Sequence, residues 1–171
     1  MDAAREVAAT DPVAALVTVD SKGRPRARSV EVHWEEIVLT DPPLFGHNPP
    51  EGARRETDRI MLWIATRPGT RKLEQIAANP RVALYFEDDA SGSYLSVMGW
   101  AEIITEPRVV TTQSWHNEEQ LAEFYPSFPD DMVLIRVDVS WLEVIAPGID
   151  ASTDLWRPQA AVLQAETPDP E

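Results

Sequence analysis

Cysteine is absent from this chain, which removes disulfides, thiolate metal sites and thiol nucleophiles from consideration. No apolar run approaches the roughly 20 residues that a membrane-spanning helix needs, so a membrane is not an expected partner. The first ten residues, MDAAREVAAT, are acidic and basic by turns and lack the apolar stretch of a secretory signal, which makes the cytoplasm the expected location. Positive charge is scarce as well. The sequence carries 15 Lys and Arg against 29 Asp and Glu, a formal net charge of −14. Phosphate backbones are bound through basic patches, so nucleic acid is not an expected partner either. The acidic excess favours solubility and also suits a saline cytoplasm. Internal repeats and alternating βαβ units are missing too, which excludes a parallel sheet.

What is present fits one globular domain: 171 residues, 43% hydrophobic and 26% charged. The expected division is a domain over 1–146 and a C-terminal extension over 147–171, whose last residues, Glu166 to Glu171, have the composition of a disordered tail. Residues 2–9 suit a short helix. Ala14 to Val19 reads as a strand apolar on both faces, as inside a barrel or under a dimer contact. Asp20-Ser21-Lys22-Gly23 is a hairpin turn, and the return strand, about Pro25 to Trp34, places Arg26, Arg28, Val30 and Val32 on one face. From Asp41 to Arg59 a run of prolines, glycines and charges predicts a long surface loop, either a ligand wall or a passive insertion. Ile60 to Ala65 is a buried strand, and Thr66 to Thr70 turns into a helix over 71–78 that Asn79-Pro80 stops. A second hairpin joins Arg81–Glu87 to Ser93–Ile104. Residues 108–125 suit a helix, and Met132 to Val139 a strand that Trp141 to Ile145 continues. Strands in hairpins with few helices predict a mainly β fold with flanking helices, an antiparallel Greek-key split β-barrel.

The cations are unevenly placed. Seven of the fifteen lie in two short segments: Lys22, Arg24, Arg26 and Arg28, then Arg67, Arg71 and Lys72. Two such clusters in so acidic a chain fit one anionic ligand, or else two solvated element ends. The segment Trp63 to Lys72 sharpens the first reading. A helix start offers free N–H groups and partial positive charge to an anion, and two hydroxyls and three cations accompany it. Thr70 also fits a plain N-cap.

The run Leu16-Val17-Thr18-Val19-Asp20-x-x-Gly23-x-Pro25-x-x-Arg28, followed by Thr66-x-x-x-Thr70-Arg71-Lys72 and Asn79-Pro80-Arg81-Val82, resembles the pyridoxamine 5′-phosphate oxidase-like, FMN-binding split-barrel superfamily. Ala83 to Phe86, Ser91 to Val97 and Gly99-x-Ala101-Glu102 resemble its general stress protein branch. The likeness runs from about 13 to 140, apart from the 41–59 insertion. It implies a homodimer with two FMN sites at the subunit interface. Arg28 matches a phosphate ligand, Ser29 and Val30 line the flavin ring through backbone groups, and Ala65 and Thr66 close the next side. Thr70, Arg71 and Lys72 match the phosphate cradle, and Tyr94 falls where the partner subunit supplies a polar flavin contact.

The departures bear on activity. His33 stands where the true oxidase has a lysine, and its C-terminal arginine-histidine motif is missing, Asp154 to Pro158 being only a faint echo. His33, His47 and His116 show no metal spacing and are expected at the surface or an interface. Trp34 or Trp100 is placed to stack near a flavin. Two functions follow from the resemblance: an FMN-dependent oxidoreductase fed by a reduced nicotinamide and passing electrons to a small apolar or aromatic acceptor, or a flavin-binding protein without turnover. Deazaflavin or haem can replace FMN within the fold.

Overall fold

The computed structural model describes residues 2–38, 58–146 and 161–164. The elements run α1 (Asp2–Thr10), β1 (Val13–Val19), β2 (Pro25–Glu31), β3 (His33–Val38), β4 (Asp58–Thr66), α2 (Arg71–Ala78), β5 (Arg81–Asp88), β6 (Ser93–Ile104), α3 (Pro107–Gln113), α4 (Glu118–Phe124), β7 (Val133–Ile145) and β8 (Ala161–Gln164). All strand pairings are antiparallel, in the order β2-β1-β5-β6-β7-β4-β3, with β8 added to β7.

The two ends of that order, β2 and β3, are consecutive in sequence with only Val32 between them. A sheet whose first and last strands share one hinge residue must curl until its edges meet, which makes the fold a split barrel. Val32 is buried and its N–H donates to Pro12 O at 2.8 Å, so the hinge is fixed to the start of β1. The single strand expected over 25–34 therefore breaks at Val32, because one straight strand cannot serve both edges.

Alternation fills the barrel. Ala14, Leu16 and Thr18 of β1, Leu62 and Ile64 of β4, Leu84 and Phe86 of β5, Val97 of β6 and Val137 of β7 are buried. α1 covers part of this core with Ala4 and Val7, and α2 adds Ile76. The unbroken apolar run of β4 has a second cause. Trp63 and Leu134 turn away from the barrel and pack with Val110, Tyr125 and Met132 beneath α3 and α4.

The expected helix over 108–125 is two helices. Asn117 starts the second with a capping box: its side chain accepts from Gln120 N–H at 2.9 Å, and Gln120 Oε1 accepts from Asn117 N–H at 3.0 Å. β3 beyond Trp34 and β8 within the extension are strands the sequence reading passed over. The predicted loop over 41–59 lies outside the described residues except for Asp58 and Arg59, which open β4. His47, the 154–158 segment and the predicted tail also lie outside them.

Candidate functional site

The turn between β4 and α2 follows from its residues. Pro68 cannot continue a paired strand, and Gly69 takes φ 72°, the left-handed conformation that reverses the chain. Thr70 occupies the N-cap position of α2 in an extended conformation, yet its side chain makes no capping hydrogen bond. Its hydroxyl is buried and has no hydrogen-bond partner among the described residues. Such an orphaned group costs about 1–3 kcal/mol. The plain N-cap role is excluded, and Thr70 borders space that the described residues do not fill.

Arg28 reaches the same place from β2. Its Nη1 donates to Thr18 Oγ1 at 2.6 Å and its Nη2 to Gln75 Oε1 at 2.8 Å, while Thr18 Oγ1 donates to Gln75 Oε1 at 2.6 Å. A guanidinium has five donors, so Arg28 is held in place and keeps donors for a ligand. Arg71 and Lys72 stand in the first turn of α2, where the helix end adds partial positive charge. Among the described residues no carboxylate pairs with Arg28, Arg71 or Lys72. Burial, and then the charges of Arg71 and Arg26, hold the Arg28 guanidinium below its ordinary pKa. Burial and the charge of Arg28 do the same to the Lys72 ammonium. A bound anion relieves both effects.

Two cavities meet at Thr70 and Lys72. The first, of about 530 Å³, is polar and is lined by Asp20, Arg26, Arg28 and Arg71 as well as the shared pair. The second, of about 410 Å³, runs past Ser29, Val30, Ala65 and Thr66 to a wall formed by Trp115, His116, Phe124 and Tyr125. Together they make one groove, cationic at one end and apolar with aromatic walls at the other.

The aromatic wall is built on the break between α3 and α4. Trp115 stacks on His33 at 5.2 Å with rings 13° apart, and His116 sits between Trp115 at 4.8 Å and the edge of Tyr125 at 5.6 Å. Trp115 Nε1 donates to Glu31 Oε1 at 3.3 Å. Arg67 fastens the wall to the turn by donating from Nε and Nη2 to Phe124 O, at 3.0 and 2.6 Å. Burial lowers the His116 pKa against the opposing pull of Glu31, and burial raises that of Tyr125.

Eight of the residues singled out in the sequence thus converge on one groove: Arg28, Ser29, Val30, Ala65, Thr66, Thr70, Arg71 and Lys72. Tyr94 does not join them within one chain. Its hydroxyl donates to Glu143 Oε1 at 2.8 Å and its ring stacks on Tyr85 at 5.7 Å, while burial and the Glu143 carboxylate push its pKa up to about 12. Trp34 and Trp100 do not line the groove either. Trp34 borders a separate cavity with Arg5 and Pro12, and Trp100 lies 4.9 Å beneath the Arg81 guanidinium. The tryptophan of the groove is Trp115, and its signal in the sequence is the Asn117-x-x-Gln120 cap that exposes the residues just before it. Among the described residues no cluster suits a metal ion, and no helix is long and apolar enough to cross a membrane.

The family model for pyridoxamine 5′-phosphate oxidase matches residues 1–146. The chain belongs to the pyridoxamine 5′-phosphate oxidase family. The match ends one residue past β7 and so spans the whole barrel and both cavities. Three solved structures show the same fold. One is a Clostridium acetobutylicum protein related to general stress protein 26, with 15% identity and a TM-score of 0.62, covering 94% of this chain and 90% of that one. Another is a pyridoxamine 5′-phosphate oxidase-related, FMN binding protein from Nostoc punctiforme, with 14% identity and a TM-score of 0.61, covering 95% and 96%. The third is an F420 reductase, with 21% identity and a TM-score of 0.51, covering 77% and 90%. No curated protein matches.

The position of His116 makes a pH prediction. Its imidazole is expected to titrate below the ordinary value of about 6.5 in a proton NMR titration. The unfolded chain then takes up this proton first as the pH falls. His116 therefore costs stability progressively from about pH 6.5 down to its folded pKa, and His116→Asn removes that part of the slope. A midpoint at or above the ordinary value would contradict a buried wall.

Proposed function

We propose that the groove binds FMN, with the phosphate at Arg28, Thr70, Arg71 and Lys72 and the ring along Ser29, Val30, Ala65 and Thr66, and that the protein works as an FMN-dependent oxidoreductase. The observation that carries this reading is the buried, partnerless Thr70 hydroxyl beside three cations that no carboxylate neutralises. A phosphomonoester brings roughly −1.5 to −2 charges and three acceptor oxygens, which suits that set. The adjoining cavity is largely apolar and flanked by Trp115 and His116, which suits a flat ring system. The FMN binding protein from Nostoc punctiforme supports the choice of ligand.

When bound, FMN supplies hydride and electron transfer. The chain's own part is to bind, orient and exclude water. Arg28 is fixed by Thr18 and Gln75 before any ligand arrives, which lowers the ordering cost of binding. The reductant in this reading is a nicotinamide nucleotide and the acceptor a small apolar or aromatic molecule, matching the aromatic wall.

A homodimer completes the reading. Val13, Tyr85 and Met98 are 46%, 39% and 49% exposed on the outer face of β1, β5 and β6, where the register sets Ala15 opposite Tyr85 and Ala83 opposite Met98. A second copy seated there covers these side chains. Tyr94 is a neighbour of Tyr85 on this face, consistent with a role towards the partner's groove.

Three results test the proposal. Arg71→Ala with Lys72→Ala should cost several kcal/mol of FMN affinity by calorimetry, since charge-assisted hydrogen bonds contribute about 1.5–3 kcal/mol each; unchanged affinity contradicts the phosphate site. Light scattering at micromolar concentration should report a dimer, and Tyr94→Ala should weaken FMN across the interface. A flavin-loaded monomer rules the shared site out. Rapid anaerobic mixing of the loaded protein with NADH or NADPH should bleach the flavin. A flavin that stays oxidised for minutes with both leaves a binder without turnover.

A further inference from the structure

The hairpin between β1 and β2 places an anion where an anion is to bind. Asp20 lines the polar cavity together with Arg26, Arg28, Arg71 and Lys72. Its Oδ1 accepts from the backbone N–H groups of Lys22 at 2.9 Å and Arg24 at 3.0 Å. Its Oδ2 accepts from Nε of Arg24 at 2.9 Å and Nε of Arg26 at 3.0 Å, with Nη2 of each also at 2.9 Å. The carboxylate is only 12% exposed, while the two arginines it holds are 56% and 47% exposed. Asp20 is thus the fixed centre and the arginines bend to it. These bonds, chiefly those to Arg24, hold its pKa far below the usual carboxylate range, so it is ionised at neutral pH.

The position of this centre matters more than its role in the turn. Ser29 and Val30 line the aromatic cavity, Arg28 lines the polar one, and Arg26 lies two residues further along β2. A strand rises about 3.3 Å per residue, so Arg26 and its partner Asp20 mark the end of the groove away from the ring. A terminal phosphate at Arg28, Thr70, Arg71 and Lys72 has no need of that end. A flavin that continues through a second phosphate into another nucleotide has to pass it, and there it meets two guanidinium groups whose facing N–H donors, and half of whose charge, are already taken up by Asp20. The cations that would otherwise welcome the second phosphate are already bound to Asp20.

We propose that Asp20 is a specificity determinant of this groove, which selects a flavin ending in one phosphate over one extended through a pyrophosphate by holding the donors of Arg24 and Arg26 and offsetting part of their charge at the distal end. This rests on the FMN reading above. The test is calorimetric titration of the apoprotein with FMN and with FAD, alongside thermal melts of each unliganded variant. The wild type should prefer FMN by tenfold or more. Asp20→Asn, which keeps a side-chain acceptor for the turn, should shrink the FMN-to-FAD preference at least tenfold. Adding Arg26→Gln to Asp20→Asn should restore most of it, because the released guanidinium is what would attract the second phosphate. Should Asp20→Asn fail to fold, the pair Arg24→Gln with Arg26→Gln bares the carboxylate and should widen the preference instead. A folded Asp20→Asn variant with the wild-type ratio, or an unaltered ratio in the arginine pair, overturns the inference while leaving FMN binding intact. Wild-type protein that takes up neither flavin removes the FMN reading and this inference with it.

Discussion

Three side chains at the mouth of the barrel, Arg28, Thr18 and Gln75, hold the site together. Thr18 is fully buried on β1, Arg28 stands on β2 and Gln75 on α2, and each contacts the other two through hydrogen bonds of 2.6 to 2.8 Å. α2 is a helix of eight residues with one buried side chain, Ile76, and little intrinsic stability of its own. The triad ties it to the hairpin and so sets Thr70, Arg71 and Lys72 against Arg28. Loss of any one member removes two of the three hydrogen bonds and leaves a single bond between the other two to hold the helix to the hairpin. The cationic end of the groove is in this sense a product of barrel packing.

The net charge of −14 gives that arrangement its selectivity. A chain so acidic repels anions in general, so loose electrostatic capture contributes little. Binding has to come from a few short, directed contacts in a partly desolvated place, where charge interactions are strongest. Both Arg28 and Lys72 already feel the loss of water, Arg28 also the charges of Arg71 and Arg26, and Lys72 that of Arg28. The same field disfavours polyanionic competitors, and at the far end of the groove Asp20 offsets part of the positive charge of Arg24 and Arg26.

Much of this was legible before any coordinates. The hairpin at Asp20 to Gly23, the turn at Thr66 to Thr70 and the helix to Ala78 are written in local chemistry: glycine where φ is positive, proline where a strand must end. The convergence of the two cation clusters was also legible, because an acidic chain that concentrates its cations in two places invites a common cause. What escaped notice depends on distant partners. The break at Val32 follows from barrel closure, a property of the whole sheet. The split between α3 and α4 had a local signal in Asn117 and Gln120, but the apolar residues on either side masked it. The wall of Trp115, His116 and Tyr125 needed both the split and the packing on Trp63 to become visible. The fate of Thr70 could not be read at all, since an N-cap threonine and an orphaned one have the same sequence.

The central claim is that Arg28, Thr70, Arg71 and Lys72 hold a phosphate dianion, and phosphorus NMR of the FMN-loaded protein tests it most directly. Free FMN takes up its second phosphate proton near about pH 6, and its resonance moves accordingly. Surrounded by these cations and the buried hydroxyl, the bound phosphate should stay dianionic, with a resonance that does not shift through the range in which free FMN titrates. A bound resonance that titrates as free FMN does would place the phosphate in open solvent and contradict the account.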